Sequence, residues 1–329
     1  MSRILVLRPG ALGDVILTLP AIQALWRRWP DAEVHLMGST PWIDLLPGRT
    51  AVASVSSFDQ QDLATLFETE AAPSEGLQRY LGGFERIVSY AAGPGYAFAR
   101  NLERAARGPV LHVDAAAVLS EPRHAGSSLQ TPLEAWGVEP WAGLPGIRPT
   151  AADASAAELW LEGVGIGRRP FVAVHPGSGS AAKNWPAERF AQACLMVVDC
   201  LRADLVILGG PADDVEVASL RHALAGAPAV ELVVGTLPLV AAVLARCALY
   251  LGNDSGVTHL AAAVGAPVVA VFGPTDPAVW GPRGERVRVV AGAAPCAPCT
   301  PEERRDCRER SCLSAVTVEM VVDAPQELV

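Results

Sequence analysis

Lysine and positive charge are scarce in this chain. Lys183 is the only lysine among 26 Lys and Arg residues, and 35 Asp and Glu residues bring the net charge to -9. A protein that binds nucleic acid along an extended surface needs a dense field of basic residues, so this balance argues against that function. It leaves room for a local basic patch that faces an anionic ligand.

Long apolar runs are also missing. The first apolar run stops at Arg8-Pro9-Gly10 and is too short for the core of a secretory signal peptide. An uncharged stretch covers residues 255–275, but Gly265-Ala266-Pro267 interrupts it. A helix, a turn and a buried strand explain this stretch better than a membrane span does. We therefore expect a cytoplasmic protein, with peripheral contact at most at the inner face of the cytoplasmic membrane.

Cysteine is infrequent except in one cluster. Cys194, Cys200 and Cys247 lie in apolar segments, where we expect reduced core residues. The other four follow the spacing C-x2-C-x7-C-x4-C: Cys296, Cys299, Cys307 and Cys312. Four thiolates so spaced can close a tetrahedral Zn or Fe site, or they can be separate reduced surface thiols.

Short β-rich runs alternate with helical patterns along the chain, which predicts a parallel α/β fold. In the first half, strands are predicted over residues 4–7, 33–37, 52–55, 86–89 and 110–113, with a helix over 14–29. In the second half, strands are predicted over 171–174, 205–208, 230–234, 249–251 and 268–271, with helices over 187–201 and 213–224. Between residues 148 and 169 the pattern lapses, apart from a short helix near Leu159, and we place the linker there.

Two Rossmann-like domains follow from this alternation. The first is expected over residues 1–155 and the second over 165–315, with a C-terminal helix over 316–329 that packs back on the N-terminal domain. In doubly wound sheets, ligands bind at the carboxyl ends of the strands. We therefore expect two parallel sheets that face a central cleft.

The segment Leu7-Arg8-Pro9-Gly10-Ala11-Leu12-Gly13-Asp14 joins the first predicted strand to the first predicted helix. Gly10 and Gly13 allow a tight turn and close approach of a ligand. The spacing matches neither the dinucleotide fingerprint nor the P-loop. Asp14 stands at the start of the helix, where it could cap free N–H groups or act on a substrate.

A small polar loop follows the first strand of the second half, in the run His175-Pro176-Gly177-Ser178-Gly179-Ser180-Ala181-Ala182-Lys183-Asn184-Trp185-Pro186. Loop N–H groups and hydroxyls can cradle phosphate oxygens. Because arginine occupies every other basic position, the surviving Lys183 indicates a site that needs a compact ammonium. Chance survival on a solvated loop is the alternative.

A second polar loop, Gly252-Asn253-Asp254-Ser255-Gly256-Val257-Thr258-His259, runs from a strand into a helix. The N-terminus of a helix attracts anions. Ser255, Gly256 and Thr258 offer small polar or bare backbone groups to a diphosphate. His259 could donate to phosphate or be a structural histidine, and Asp254 could bind sugar hydroxyls or cap the helix.

Four motifs in order resemble the heptosyltransferases of glycosyltransferase family 9. They are R-x4-G-D-x5-P from Arg8, H-P-G-S-x4-K-x-W-P from His175, G-N-D-S-G-x2-H-L-A-A-A-x-G-x-P from Gly252, and F-G-P-T-D-P from Phe272. The resemblance implies a GT-B fold with an acceptor-binding N-terminal domain and a nucleotide-sugar-binding C-terminal domain. It implies inverting transfer of a heptose from an ADP-activated donor to a lipopolysaccharide core acceptor.

The resemblance also implies roles for individual residues. Asp14 would be the general base that takes the proton of the acceptor hydroxyl. Lys183 and the helix N-terminus would stabilise the leaving diphosphate, with Asp254 near the sugar. The remaining diphosphate ligands would be Ser255, Gly256 and His259, and the first phosphate loop would use Ser178 and Ser180.

Three further expectations concern the nucleoside, the acceptor and metals. Asp213 or Asp214 would bind ribose hydroxyls, although either could be a helix cap. Arg8 and a helical stripe would face the acceptor, unless the stripe is only a solvated face: Arg100, Arg104 and Arg107. No D-x-D motif lies in a plausible place, so no catalytic metal is expected, and the cysteine cluster would be structural.

Two other functions stay open at this stage. One is a GT-B enzyme that uses another nucleotide sugar, either as a transferase or as an epimerase. The other is a catalytically silent module that binds a nucleotide sugar. The presence of Asp14 together with Lys183 argues against the silent module.

Overall fold

The computed structural model describes residues 2–59, 61–69, 73–119, 122–167, 169–210, 212–233 and 236–327. The chain divides into two compact units, Met1–Arg148 and Pro149–Val329. Each unit contains one sheet, and every strand pairing in the described residues is parallel. This confirms the α/β class that the alternating pattern predicts.

The first unit has a five-stranded sheet in the order β3-β2-β1-β4-β5. The strands are β1 (Ser2–Arg8), β2 (Ala32–Gly38), β3 (Val52–Ser57), β4 (Arg86–Ser89) and β5 (Val110–His112). The helices are α1 (Leu12–Arg28), α2 (Glu75–Leu81), α3 (Ala97–Ala105), α4 (Ala115–Val118) and α5 (Ala125–Ser128). Three 3-10 helices cover Trp42–Leu45, Gln61–Phe67 and Thr131–Trp136. The order of the strands reverses between β1 and β4.

The second unit has a six-stranded sheet in the order β11-β10-β9-β6-β7-β8. The strands are β6 (Phe171–His175), β7 (Asp204–Gly209), β8 (Val230–Val233), β9 (Leu249–Asn253), β10 (Val268–Phe272) and β11 (Val287–Ala291). The strand order reverses between β6 and β9. In doubly wound folds such a reversal opens a crevice at the carboxyl ends of the strands, where ligands bind.

Helices precede, connect and follow the strands of the second unit. They are α6 (Ala151–Gly163), α7 (Ala187–Leu201), α8 (Asp214–Ala223), α9 (Leu237–Leu244), α10 (Gly256–Ala263), α11 (Pro277–Trp280), α12 (Pro301–Asp306), α13 (Ser311–Ser314) and α14 (Val318–Asp323). Short 3-10 helices cover Ala181–Lys183 and Ala324–Glu327.

Continuous apolar runs explain why the central strands were predictable. Residues 4–7 of β1 and 171–174 of β6 are wholly buried, as expected for parallel strands covered on both faces. All ten predicted strands are present, although β5 ends at His112, one residue before its predicted end, and residue 234 lies outside the described residues. Strand β11 was not predicted, because an edge strand of half-exposed residues lacks a continuous apolar run.

The linker region contains a full helix rather than a short one. Helix α6 begins at a capping box, in which Thr150 and Asp153 each accept the backbone N–H of the other. An alanine-rich sequence favours its extension to Gly163. The division between the units lies ahead of α6, so residues 149–155, assigned from the sequence to the first domain, belong to the second unit.

The C-terminal helix packs within the second unit, where the sequence analysis suggested the N-terminal domain. Val318 and Val321 of α14 share a buried core with Phe190 and Cys194 of α7. The reason is that the apolar face of α14 matches the apolar face of α7 in the same unit. The predicted helix extends to residue 329, and residues 328 and 329 lie outside the described residues.

Among helices in the described part of the chain, none is both long and apolar enough to cross a bilayer.

A buried histidine lies in the sheet of the first unit. His35 on β2 contacts the hydroxyls of Ser54 at 2.7 Å, Ser56 at 2.9 Å and Tyr80 at 3.1 Å. Burial, together with the charge of Arg3, lowers the pKa of His35 to about 4. The neutral imidazole is therefore the form that the folded unit accommodates.

We expect this histidine to make the first unit acid-sensitive. Its folded-state pKa lies below the unfolded value of 6.5, so protonation favours unfolding, and stability falls as the pH drops from 6.5 towards 4. For one such group the loss at pH 5 is about 2 kcal/mol. Urea unfolding at pH 7.5 and 5.0 should show a smaller difference between the two pH values in His35→Gln than in wild type. The exposed His222 provides the control: a His222→Gln variant that flattens the pH dependence equally would refute the assignment.

Candidate functional site

Asp14 lies in the first turn of α1, beside the reversal point of the first sheet. Its Oδ1 accepts a hydrogen bond from Arg8 Nη2 at 2.9 Å, and its Oδ2 accepts one from the backbone N–H of Ala11 at 2.9 Å. The carboxylate thus caps the helix, as one interpretation of the sequence held. It also remains 36 % exposed, and a carboxylate oxygen can accept more than one hydrogen bond, so it can still receive a substrate hydroxyl.

Gly10 permits the close approach of the loop to this carboxylate. Its φ is +129°, and a Cβ at this position would come within 2.6 Å of Asp14 Oδ2. Both the conformation and the space require glycine. Gly13, which the sequence analysis placed in the same turn, lies inside α1 instead.

Arg8 lies beneath Asp14 rather than on the surface. Its side chain is 6 % exposed, and its Nε donates to Thr18 Oγ1 at 3.1 Å. Burial lowers the pKa of Arg8, and the charge of Asp14 acts against that effect. The expected acceptor contact of Arg8 would require this pair to open.

The predicted arginine stripe is only partly on one helix. Arg100 and Arg104 are exposed on α3, whereas Arg107 is exposed beyond the end of that helix, beside Gly82. Arg100 donates to the carbonyl of Gly95. The exposed positions fit a solvated face, and the acceptor role of these arginines stays a prediction.

The loop after β6 is held by its own side chains. Ser178 Oγ lies 2.7 Å from the carbonyl oxygen of Ser180 and 2.5 Å from Asn184 Oδ1. Asn184 Nδ2 in turn donates to Glu216 Oε1 at 3.0 Å. The Ser178 hydroxyl therefore shapes the loop, and the backbone groups of the loop remain the better candidates for phosphate.

Lys183 reaches from this loop to the loop after β9. Its Nζ donates to the backbone carbonyl of Asp254 at 2.8 Å and to Asp254 Oδ2 at 3.2 Å. Thr275 Oγ1 donates to the same carboxylate oxygen at 2.7 Å. An ammonium has three donors, so one stays available for an anion at the carboxyl edge of the sheet. Lys183 is therefore not a solvated residue of the loop, and its role as a phosphate ligand stays a prediction.

The loop after β9 ends in the N-terminus of α10. Ser255 is the N-cap, and its Oγ accepts the N–H of Thr258 at 3.2 Å. Thr258 is buried, and its hydroxyl lies 2.9 Å from the Tyr250 hydroxyl. Both side chains are committed to holding the helix end, and Ser255 already binds the N–H of Thr258. The N–H groups of Gly256 and Val257 are therefore the ones that can meet an anion. His259 is buried on the same turn.

Asp213 points into the protein, where the sequence analysis expected a ribose ligand. Its Oδ2 lies 3.1 Å from His175 Nε2 and accepts the N–H of Gly210 at 2.8 Å. Burial alone would raise the pKa of Asp213, but the hydrogen bond and charge of His175 and the Gly210 N–H together lower it. A Cβ on Gly177 would lie 1.9 Å from Asp213 Oδ1, so the carboxylate occupies space that only glycine leaves open.

Three residues of this region were missed in the sequence analysis. Thr275 follows β10 and holds Asp254, His175 links Asp213 to Ser255 with Nδ1 3.4 Å from Oγ, and Glu216 holds Asn184. His175 and Thr275 lie in the motifs that begin at His175 and Phe272. Their positions at or just after the end of a strand were the signal that could have identified them. Glu216 carried no such signal.

The cysteine cluster is not arranged as a metal site. Within the described residues, no group of three or more His, Cys, Asp or Glu side chains is placed to hold a metal ion. Cys299 Sγ contacts the carbonyl of Cys296 at 3.3 Å, and Cys307 Sγ accepts the N–H of Arg310 at 3.4 Å. Burial and the neighbouring thiols raise the pKa of Cys299. The sulfur atoms of Cys299 and Cys307 are therefore engaged with backbone groups, and the structural metal suggested by the spacing stays a prediction.

The remaining cysteines divide into two kinds. Cys194 and Cys247 are buried, and burial raises the pKa of each to about 12, in keeping with reduced core residues. Cys200, predicted to be a core residue as well, is exposed because it lies on the solvent side of α7.

Comparison with known sequences gives one family and several relatives. The model of glycosyltransferase family 9 (heptosyltransferase) matches residues 144–310. Lipopolysaccharide heptosyltransferase 3 of Escherichia coli is 31 % identical over 129 residues, which are 37 % of this chain and 36 % of that protein. Lipooligosaccharide heptosyltransferase 2 of Haemophilus influenzae is 33 % identical over 135 residues, 38 % of this chain and 37 % of that protein. The chain thus matches little more than a third of the length of these relatives.

Solved structures resemble the whole chain in fold. A glycosyl transferase family 9 protein from Veillonella parvula has a TM-score of 0.81 at 21 % identity, with 99 % of this chain and 97 % of that chain covered. E. coli ADP-heptose lps heptosyltransferase II has a TM-score of 0.73 at 19 % identity, covering 100 % and 98 %. E. coli heptosyltransferase WaaC with ADP has a TM-score of 0.71 at 18 % identity, covering 99 % and 100 %.

Proposed function

Because the chain belongs to glycosyltransferase family 9, we propose that it transfers a heptose from an ADP-activated donor to a lipopolysaccharide core acceptor, with inversion at the anomeric carbon. The observation that carries the proposal is the convergence of Lys183, Asp254 and the N-terminus of α10 at one edge of the second sheet. The heptose, the lipopolysaccharide and the ADP of this proposal are taken from the names of the matched relatives and structures.

The second unit is suited to a nucleotide diphosphate. The free donor of Lys183 and the first N–H groups of α10 present positive charge where the strand order reverses. Asp254 is held by Lys183 and Thr275 and would accept hydrogen bonds from sugar hydroxyls. Asp213 is turned inward, so it is not the ribose ligand in this proposal. The ribose contact is assigned to the exposed Asp214 or to Glu216.

The leaving group needs stabilisation as the glycosidic bond to the diphosphate breaks. A fixed ammonium and a helix N-terminus supply that charge without rearrangement during the reaction. We infer that these groups take the place of a catalytic metal ion, in line with the absence of a D-x-D motif from the sequence.

Asp14 would accept the proton of the acceptor hydroxyl as that oxygen attacks the anomeric carbon. Its exposed, ionisable carboxylate stands at the reversal point of the first sheet. Lipopolysaccharide core carries anionic groups, and Arg100, Arg104 and Arg107 are the proposed contacts for them. The heptose transfer would take place at the cytoplasmic side of the membrane that holds the acceptor.

The direct test is heptose transfer in the presence of a chelator. Purified protein with ADP-heptose and a core acceptor that lacks the heptose should release ADP and yield the extended core in buffer with EDTA. Epimerised donor without transfer would favour the alternative enzyme, and donor binding without turnover would favour a silent module. Restoration of lost activity by added metal would contradict metal-independent transfer.

Lys183→Ala should weaken ADP binding much more than adenosine binding. The change removes the cation and leaves Asp254 with Thr275 as its remaining partner. A charge-assisted hydrogen bond is worth about 1.5–3 kcal/mol, or about tenfold to a hundredfold in affinity. Lys183→Arg should recover part of the loss, because the larger planar guanidinium cannot repeat both bonds to Asp254. Titration calorimetry measures both ligands. Arg246→Ala removes the same charge from an exposed position before β9 and is the control; equal losses in Arg246→Ala and Lys183→Ala would contradict the phosphate role.

Asp14→Asn should keep donor affinity and lose turnover. The amide cannot take the proton, which typically costs about 10²–10⁴-fold. It can replace only one of the two acceptor oxygens used by Arg8 and Ala11, so kcat should be measured well below the melting temperature. Asp114→Asn is the matched control, since Asp114 also accepts a backbone N–H at a helix start. Near-normal kcat in Asp14→Asn would remove Asp14 from the reaction.

A further inference from the structure

Arg8 lies buried beneath the Asp14 carboxylate, at the carboxyl end of the central strand β1. It ends β1, a strand whose residues 4–7 are wholly buried, and its own side chain is 6 % exposed. A buried guanidinium is costly unless it is paired and hydrogen-bonded. The residues that meet this need in the first unit are Asp14 and Thr18.

We propose that Arg8 is the positioning residue of the reaction, which sets the orientation of the Asp14 carboxylate. The inference rests on the proposed function, in which Asp14 is the base. It assigns to Arg8 an action through Asp14, in place of the acceptor contact that the sequence suggested.

The hydrogen bonds of Arg8 go to Asp14 and to Thr18, which itself binds Asp14. Nη2 donates to Asp14 Oδ1 at 2.9 Å, and Nε lies 3.4 Å from the Asp14 backbone carbonyl. Nε also donates to Thr18 Oγ1 at 3.1 Å, and Thr18 Oγ1 donates to the Asp14 carbonyl at 2.8 Å. One arginine therefore holds the side chain of Asp14 and, directly and through Thr18, its backbone.

The second carboxylate oxygen is fixed from the other side. Oδ2 accepts the N–H of Ala11 at 2.9 Å and lies 2.6 Å from the position that a Cβ on Gly10 would occupy. With both oxygens held, the plane of the carboxylate is set, and its remaining lone pairs point in fixed directions. A displacement of about 1 Å of a reacting group can cost about 10²-fold in rate, so such fixation matters for a base.

The geometry calls for arginine in particular. Nε and Nη2 lie on one edge of a planar group and serve two acceptors at once, whereas a lysine offers a point charge on a flexible stem. The ring of Tyr90, with its centroid 5.9 Å from the guanidinium carbon, lies beside Arg8. The Tyr90 hydroxyl is itself bound to the carbonyl of Leu129 at 2.8 Å.

A purely structural role for the Arg8–Asp14 pair would lead to a different experimental result. If Arg8 only stabilises the first unit, its loss lowers the melting temperature and affects turnover to the same extent whether or not Asp14 is present. If it acts through Asp14, its loss matters only while the carboxylate is there. A double-mutant cycle on kcat separates the two cases.

The experiment uses the full chain in the heptose-transfer assay. Arg8→Met should lower kcat by about 10–10²-fold, with the KM for ADP-heptose within about twofold. In the Asp14→Asn background, Arg8→Met should change kcat by less than about twofold, because the group it orients is gone. Arg8→Lys should fall between wild type and Arg8→Met. Arg27→Met, at an exposed position on α1, the helix that carries Asp14, should match wild type.

Equal fold-losses from Arg8→Met in the two backgrounds would overturn the proposal, as would a normal kcat in Arg8→Met. If Arg8→Met does not fold, the same cycle with Arg8→Lys decides in the same way. Full turnover in Asp14→Asn is a separate result: it overturns the assignment of the base, and this inference with it. Loss in Asp14→Asn with additive effects of Arg8 overturns only the positioning role.

Discussion

Burial of both faces of each parallel sheet is the constraint on which the site depends. Strands such as β1 and β6 are apolar throughout, because helices cover them above and below. Polar chemistry is thereby confined to the loops at the strand ends. Where the strand order reverses, two of these loops diverge and leave room for a ligand. Asp14 follows β1 at one reversal, and Lys183 and Asp254 follow β6 and β9 at the other.

Each polar group at these edges is held by a second polar group. Arg8 holds Asp14, Thr275 and Lys183 hold Asp254, and His175 holds Asp213. Partly buried charges are stable only when they are paired, so this mutual support is a physical requirement. It also prepares the groups in fixed orientations before any substrate arrives, which is the condition for electrostatic stabilisation of a leaving group.

Much of the fold could be predicted from apolar runs, and the central strands were. The edge strand β11 was missed, because Arg288 interrupts its apolar residues and leaves no continuous apolar run. The motifs pointed to Lys183 and Asp254 as ligands, but nothing in a one-dimensional pattern shows that residues 71 positions apart share a hydrogen bond. The direction of a side chain could not be predicted from the sequence either, as Asp213 and Arg8 show. Both were interpreted as facing a ligand, and both turn inward, because side-chain direction depends on partners from other elements.

The single lysine has a chemical consequence beyond binding. Any reagent selective for side-chain primary amines finds one target in this chain, Lys183, and that target is 18 % exposed and engaged with Asp254. Covalent labelling of the lysine side chain would therefore have a stoichiometry of one, and its rate would follow the occupancy of the anion site. Under the proposed function, the arginine-rich composition leaves the protein with one lysine whose reactivity would record whether a ligand is bound at the carboxyl edge of the second sheet.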